Sequence, residues 1–329
     1  MLPRMNLTWR SLTVSDAAQV TRVLAAVEAE DHTGENYGEE DITELLSNPV
    51  RDLVHGSRAV FDGDTLAGYC FIDPRTTAEP VHQMRYSGTV HPAYRGRGIG
   101  GKLMAWSRTA AVLIHERHFP GRPLELHQGV DKKNTRHEEL VVNAGYRPIR
   151  WFFDMQCELG VAAATAPVPD LLKGLSVVTF RSEFDEPLRL ANNEAFQDHW
   201  GASPQTAEVW RHAITGSRAF VPELTYLALD DATGQVAGYL VAEHYQADTE
   251  TTGIKELYIA LIGTRRPWRR RGIATTLIAK SLGSAARQGY QRSSLTVDAD
   301  NPTGALGVYQ RAGFRQYQQS TAYALTILT

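Results

Sequence analysis

Cysteine is nearly missing from this chain of 329 residues: it has two, Cys70 and Cys157, and neither has a second Cys or a His near it at metal-ligand spacing. Both lie in apolar, strand-like runs, so each is expected to be a buried, reduced thiol, with no disulfide framework and no metal. Long hydrophobic runs are missing as well. No stretch approaches the roughly 18 apolar residues of a membrane span, and the opening Met1-Leu2-Pro3-Arg4-Met5 leads into no apolar segment. No membrane association is expected, and the cytoplasm is the expected compartment. Nor does charge of one sign accumulate: the formal net charge is −3, and aromatic residues, 9% of the chain, form no repeated platform. Nucleic acid is therefore not the expected partner.

What is present is enough chain for two hydrophobic cores, since the length is about twice that of a usual domain. Gly160 to Gly174, GVAAATAPVPDLLKG, carries Pro167 and Pro169 within three residues, which forbids a continuous helix there and marks a linker. The division falls at 1–164 and 165–329. Matching segments stand on either side: Thr8-Trp9-Arg10 and Thr179-Phe180-Arg181, then Leu66-Ala67-Gly68-Tyr69 and Val236-Ala237-Gly238-Tyr239. Offsets of 170 (238 minus 68), 174 (272 minus 98) and 168 (313 minus 145) are nearly constant, as an internal duplication requires.

Each copy reads as strand, helices, antiparallel strands, a glycine-opened helix, a strand, a short helix and a last strand. In the first copy these are Thr8–Leu12, a helix over Ala17–Val27 capped by Ser15 or Asp16, and a mixed segment His32–Val50. A hairpin follows, turning at Asp62-Gly63-Asp64, then a strand over Val81–Val90 and a helix from Ile99 whose Leu103, Trp106, Ala110 and Leu113 would cover the sheet. The fold class is α/β, each half a mixed, mostly antiparallel sheet flanked by helices.

The segment carrying most chemistry is PWRRRGIATTLIAKSLGSAARQGY, Pro267 to Tyr290, directly after the strand-like Leu257–Ile262. The first amides of a helix have no intrahelical acceptor, and Gly272 removes the side chain that would keep an anion from them. Arg269, Arg270 and Arg271 add positive charge. The spacing Arg269-x-x-Gly272-x-Ala274, with Ile273 between, suits a pyrophosphate lying on successive amides. The same spacing occurs as Arg95-x-x-Gly98-x-Gly100, with Arg97 inside it. A dinucleotide fingerprint is excluded, because it needs Gly-x-Gly-x-x-Gly and a later strand-end acid.

Both loops resemble the acyl-CoA motif of the GCN5-related N-acetyltransferase (GNAT) superfamily, and the chain is similar to its tandem two-domain members, the arrangement typified by mycothiol synthase. The resemblance implies acyl-CoA, chiefly acetyl-CoA, held by the loop amides with its pantetheine arm along the preceding strand. An amide near Leu261 or Ile262 would then polarise the thioester carbonyl. Asn301-Pro302-Thr303-Gly304-Ala305-Leu306-Gly307-Val308-Tyr309 resembles the family pattern in which the tyrosine serves the CoA sulfur and the asparagine contacts the cofactor arm. Ala305 and Tyr309 share a helix face, and a core tyrosine is the plain alternative. Glu256 matches the family's general base, although a glutamate in Lys255-Glu256-Leu257 is also an ordinary solvated charge. The first copy departs from the pattern: Val142 stands eight residues after Asn134, and His82 aligns with Glu256.

The expected function is acetyl or short-acyl transfer from CoA to the amine of a small molecule, with chemistry in the second half and the first half non-catalytic. The protein would act as a monomer or homodimer. Cysteinyl-sugar and secondary-metabolite amines are the acceptor candidates, and Glu35, Tyr37, Glu39 and the Phe196–Thr206 loop are candidates for shaping acceptor pockets. The alternatives are a non-catalytic acyl-CoA sensor and an acyltransferase whose donor is an acyl carrier protein.

Overall fold

Strand alternation and one left-handed turn start the first sheet. Gly63 takes φ 58° between strands β2 (Ser57–Asp62) and β3 (Thr65–Pro74), closing the expected hairpin, and β1 (Leu7–Arg10) pairs antiparallel with β2. In this computed structural model, which describes residues 6–170, 173–197, 199–300 and 304–328, the chain gathers into two compact units. The first is Met1–Arg150 with Ser320–Thr329, and the second is Trp151–Gln319.

In the first unit, helices α1 (Ala17–Asp31), α2 (Glu39–Leu46) and α3 (Leu53–Gly56) are followed by β2 and β3, then β4 (His82–Val90), α4 (Ile99–His118), β5 (Leu124–Asp131) and α5 (Thr135–Asn143). Val20, Val23 and Val27 of α1 and Ile42 and Leu46 of α2 bury one sheet face with Ala59, Phe61 and Phe71. Helix α4 buries the other with Ile99, Leu103, Ala110, Ala111 and Ile114. Full burial of each such aliphatic side chain contributes about 1.5–3 kcal/mol. Leu113, expected on the covering face, is 58% exposed; the buried stripe runs instead through Ser107, Ala111 and Ile114. Asp16 stands at the N-terminus of α1 without capping it, because its carboxylate accepts from Arg10 and from the Thr13 amide.

The second unit repeats this plan with β6 (Arg147–Glu158, from Trp151 onward), α6 (Val161–Thr165), β7 (Leu175–Thr179), α7 (Asp185–Ala195), α8 (Ala207–Trp210), β8 (Tyr226–Asp230) and β9 (Val236–Glu243). Next come α9 (Gln246–Thr252), β10 (Glu256–Thr264), α10 (Ile273–Arg287), β11 (Arg292–Asp298), α11 (Ala305–Arg311) and the start of β12 (Arg315–Leu328). Helix α6 ends before Ala166-Pro167, as a residue preceding proline dictates. Ile273, Leu277 and Ile278 of α10 form the core with Leu240, Leu257, Ile259 and Leu295. Leu188 of α7, Trp210 and Val241 build a core on the opposite face.

The strand order is β1-β2-β3-β4-β5-β12 in the first unit and β7-β8-β9-β10-β11-β6 in the second. All neighbours with a recorded register are antiparallel except β4–β5 and β10–β11, which are parallel. The last strand of each sequence copy therefore completes the sheet made by the other copy: Ser320–Leu328 pairs with β5, and Phe152–Glu158 pairs with β11. Among the described residues no helix is long and apolar enough to cross a membrane.

Beneath β4, His82 and His115 are fully buried with Nδ1 atoms 2.8 Å apart. His82 Nε2 lies 3.1 Å from the Arg75 carbonyl, which only accepts, so that nitrogen carries the proton. His115 must then donate from Nδ1, leaving its Nε2 buried without a partner. Burial holds the His82 imidazole down to about 4. The unfolded chain takes up this proton near its ordinary value of about 6.5, so stability is full above that pH and falls as pH drops toward 4. Denaturant midpoints should show a loss of about 2 kcal/mol by pH ~5 relative to neutral pH, and His82→Gln should flatten that slope.

Candidate active site

Backbone handedness shapes the loop between β10 and α10. Arg270 and Gly272 have φ of 62° and 80°, on either side of Arg271, so the chain alternates hand and turns successive N–H groups to one side. Gly272 is the N-cap of α10, and a Cβ built on it would meet nothing within 4 Å; its φ, not crowding, makes glycine the fitting residue. The loop between β4 and α4 repeats the geometry with Gly96 at 74° and Gly98 at 76°. Arginine thus occupies in the second unit a left-handed position that glycine fills in the first.

The leading arginine of each loop turns inward. Arg269 Nε donates to the Thr264 carbonyl at 3.1 Å, and one terminal nitrogen donates to the Ala195 carbonyl at 3.3 Å. Arg95 Nε donates to the Val90 carbonyl at 3.2 Å, and its terminal nitrogens grip the Asp31 carboxylate at 2.6 and 2.7 Å. Both guanidinium groups therefore brace the loop from behind. Ile273 buries its side chain in the core, so only its amide faces the loop, whereas Arg270 is exposed and Arg271 half-buried.

The cleft in front of the second loop comes from strands that part. Strands β10 and β11 are in register only at Glu256–Arg292, Leu257–Ser293 and Tyr258–Ser294; from Ile259 to Thr264 the β11 side of β10 has no ladder partner among the described residues. Leu261 and Ile262 lie on this stretch, paired on their other side with Val241 and Leu240. In the first unit β4 and β5 part after Arg85–His127. A cavity of 760 Å³ opens there, lined by Tyr86, Thr89, Gly98, Gly100, Asn134 and Leu140 among others.

The strand entering the second loop carries one residue more than its counterpart in the first unit. The β9–β10 register shifts between Ile259 and Leu261, making Ala260 an extra residue, whereas the β3–β4 register runs without a break from Gly68–Val90 to Pro74–Met84. An inserted residue slips the alternation of faces by one. In β4, Met84, Tyr86 and Val90 all turn to the α4 core, and His82 with them. In β10, Ile262 turns to the α10 core below the bulge, but above it Leu257 and Ile259 do. Upstream of the extra residue the correspondence between the copies moves by one, so Glu256 and Tyr258 stand where β4 has Gln83 and Arg85, on the face away from the helix core, and His82, which aligns with Glu256 by the offset of 174, is not its structural counterpart.

That face is polar. The Glu256 carboxylate accepts from Arg292 Nε and from the Ser294 hydroxyl on β11. The Tyr258 hydroxyl donates to Thr296 Oγ1 at 3.3 Å, and Thr296 donates to Asp154 Oδ1 at 2.6 Å. Tyr245 donates to the buried Glu243 carboxylate at 2.6 Å. Tyr309 on α11 is 7% exposed and edge-on to Phe314. Burial, reinforced by nearby Tyr258, pushes its phenol well above the ordinary value, so it keeps its proton. Asn301 lies outside the described residues. Its counterpart Asn134 caps α5, accepting from the His137 amide at 3.0 Å, and Val142 in the place of Tyr309 is 50% exposed. The aromatic loop after α7 sets Trp200 beside Phe152, ring centres 6.0 Å apart, and the backbone of Gln205 is clamped by the Asn193 amide. In the first unit Tyr37 donates to Glu35 at 3.0 Å, and Glu39 opens α2.

Sequence reasoning singled out the loops, Glu256 and Tyr309. It missed Tyr258, Thr296, Asp154 and Arg292, whose shared face is set by strand pairing. The one available signal was the slipped spacing Leu257, Ile259, Ile262.

Parted strands and a loop of converging amides are the geometry that an acyl-CoA site requires, and comparison with known proteins identifies the family. The model of the acetyltransferase (GNAT) family matches residues 186–314. A mycothiol acetyltransferase of Streptomyces bingchenggensis is 30% identical over 260 residues, 78% of this chain and 77% of that one. A mycothiol acetyltransferase of Salinispora arenicola is 28% identical over 317 residues, 94% of each chain. Among solved structures, a GCN5-related N-acetyltransferase from Sphaerobacter thermophilus superposes with a TM-score of 0.74 at 27% identity, covering 100% of this chain and 98% of that one. The chain belongs to the GNAT acetyltransferase family. It has the tandem architecture of the mycothiol-acetyltransferase-like members and is an acyl-CoA-dependent enzyme that acylates an amine.

Two outcomes follow from the loop and the bulge. Arg270→Gly should raise stability by about 0.5–1 kcal/mol in urea unfolding by relieving the left-handed backbone. Deleting Ala260 should return Glu256 and Tyr258 to the apolar side, with about 3–5 kcal/mol of stability and all measurable acetyl transfer lost.

Proposed function

We propose that the second repeat, 165–329, carries the chemistry, with Tyr309 as proton donor to the leaving sulfur and Glu256 as general base. The observation that carries this reading is Tyr309, a phenol buried beside Tyr258 and kept protonated there, where the first repeat has exposed Val142. The first repeat, 1–164, is non-catalytic: its cleft has the loop and the volume for an acyl-CoA, but Gln83 stands in the place of Glu256 and Val142 replaces the phenol.

The residues present fit acyl-CoA. Amides from Arg271 to Ala274 would hold the pyrophosphate, with Arg270 and Arg271 adding charge, while Arg269 holds the loop in shape. The unpaired edge of β10 at Leu261 and Ile262 would take the pantetheine arm, and Asn301 belongs to the same arm by its position in the sequence pattern. Arg95, Arg97, Gly98 and Gly100 would play the corresponding part in the first repeat. Acetyl-CoA supplies an activated thioester carbonyl. The chain's own work is to orient that carbonyl, exclude water and move protons. Glu256 draws a proton from the acceptor amine, and Tyr309, held protonated by burial, offers one at the sulfur position.

The acceptor is a small-molecule amine, and by likeness to the mycothiol acetyltransferases a cysteinyl-sugar amine is the first candidate. An acyl carrier protein as donor remains the second reading of the same cleft. Tyr309→Phe should lower kcat about 10–100-fold while calorimetric acetyl-CoA affinity stays within about threefold, measured with free thiol release across an amine panel. Unchanged kcat in that variant would remove Tyr309 from the chemistry, and thiol release only with carrier-protein thioesters would favour the second reading.

A further inference from the structure

The polar face holds a hydrogen-bond chain that the reaction assigned above does not use. Its three members come from neighbouring strands, Tyr258 on β10, Thr296 on β11 and Asp154 on β6, and Thr296 and Asp154 are directly opposite in register. Every bond points the same way: the phenol donates to the threonine at 3.3 Å, and the threonine donates to the carboxylate at 2.6 Å. Thr296 is exposed and Asp154 half-buried, so the carboxylate end meets water. Glu256 is differently placed, since both of its oxygens are engaged by Arg292 and Ser294.

We propose that Tyr258, Thr296 and Asp154 form a proton relay from the acceptor site to solvent, with Tyr258 touching the acceptor and the other two acting through it. This rests on the second repeat being the catalytic one and assigns the outward proton path within it. Most amines arrive as R–NH3+, and the thioester requires a lone pair. As the phenol oxygen takes one nitrogen proton, its own proton passes to Thr296 Oγ1, and the threonine proton passes to the Asp154 carboxylate, which releases it to water. The freed nitrogen then forms the C–N bond as the C–S bond breaks. Sulfur takes the Tyr309 proton, Glu256 takes the second nitrogen proton, and that proton then passes on to restore the phenol. Overall R–NH3+ and acetyl thioester become amide, thiol and one released proton.

Titratable groups surround Tyr258 on every side. Glu243 stands opposite it in register, Tyr245 has its ring centre 6.2 Å away, Glu256 shares its strand, and Arg292 lies on β11. Tyr309 on α11 and Tyr317 at the start of β12 are within electrostatic reach. The relay is distinguished from these by being hydrogen-bonded in series to a solvent-side carboxylate.

Single and double variants and one titration test it. Tyr258→Phe, Thr296→Val and Asp154→Asn should each lower kcat/KM about 10–100-fold near neutral pH, with acetyl-CoA affinity by calorimetry unchanged. Thr296→Ser should restore activity to within about twofold, and Tyr258→Phe combined with Asp154→Asn should be no worse than Tyr258→Phe alone. The deficit should shrink as pH rises and the amine deprotonates in bulk water, a change a purely structural role would not produce. In protein without acetyl-CoA and carrying Tyr317→Phe, tyrosinate absorbance should show one phenol ionising at lower pH once Asp154→Asn is added, and no such change when Tyr258 is Phe. Wild-type pH profiles in both Thr296→Val and Asp154→Asn, or a titration indifferent to Asp154, would overturn the relay. Loss of activity in Glu256→Gln and Tyr309→Phe alone would overturn it while leaving the catalytic assignment standing. If Tyr309→Phe has no effect, that assignment falls, and the titration by itself decides whether the chain is coupled.

Discussion

A single extra residue in an edge-parted strand governs this enzyme. Side chains on a strand alternate with a period of two, so inserting Ala260 exchanges the destinations of everything N-terminal to it in β10. Leu257 and Ile259 enter the core under α10, and the polar members Glu256 and Tyr258 are delivered to the cleft. Burying a carboxylate without a partner would cost several kcal/mol, so the slip serves stability.

The duplication provides an internal control. Both units have the left-handed loop, the helix it opens, the inward arginine bracing a strand-end carbonyl, and the parting of a parallel strand pair. These features make an anion-binding cleft. Only β10 carries the bulge, and only α11 carries a buried phenol at the position where α5 has exposed Val142. On the proposed assignment, binding and turnover depend on separable parts of the same fold.

Much of this was legible from residues alone because it is local. The hairpin at Gly63, the glycine-opened helices at Gly98 and Gly272 and the helix beginning at Ala17 follow from turn chemistry and periodicity. What could not be read depends on partners distant in sequence. Arg269 and Arg95 look like ligand-facing charges until the Thr264 and Val90 carbonyls are placed behind them. Tyr258 and Asp154 are 104 positions apart in sequence (258 minus 154) and share a face only because β6 lies against β11. The positive φ of Arg270 was hidden because arginine, unlike glycine, gives no sign of a left-handed backbone.

The membership of the two end strands bears on how the protein emerges from the ribosome. Glu125 and Thr326, whose side chains meet in the first unit, are 201 residues apart, so the β5 edge has no mate until all the intervening chain is made. Closing so long a loop costs only about 0.6 kcal/mol more per doubling of length, but it delays the event. Meanwhile β6, made early, waits for β11. A nascent chain of this kind carries two open sheet edges through most of its synthesis and is exposed during that interval to pairing with the wrong strand.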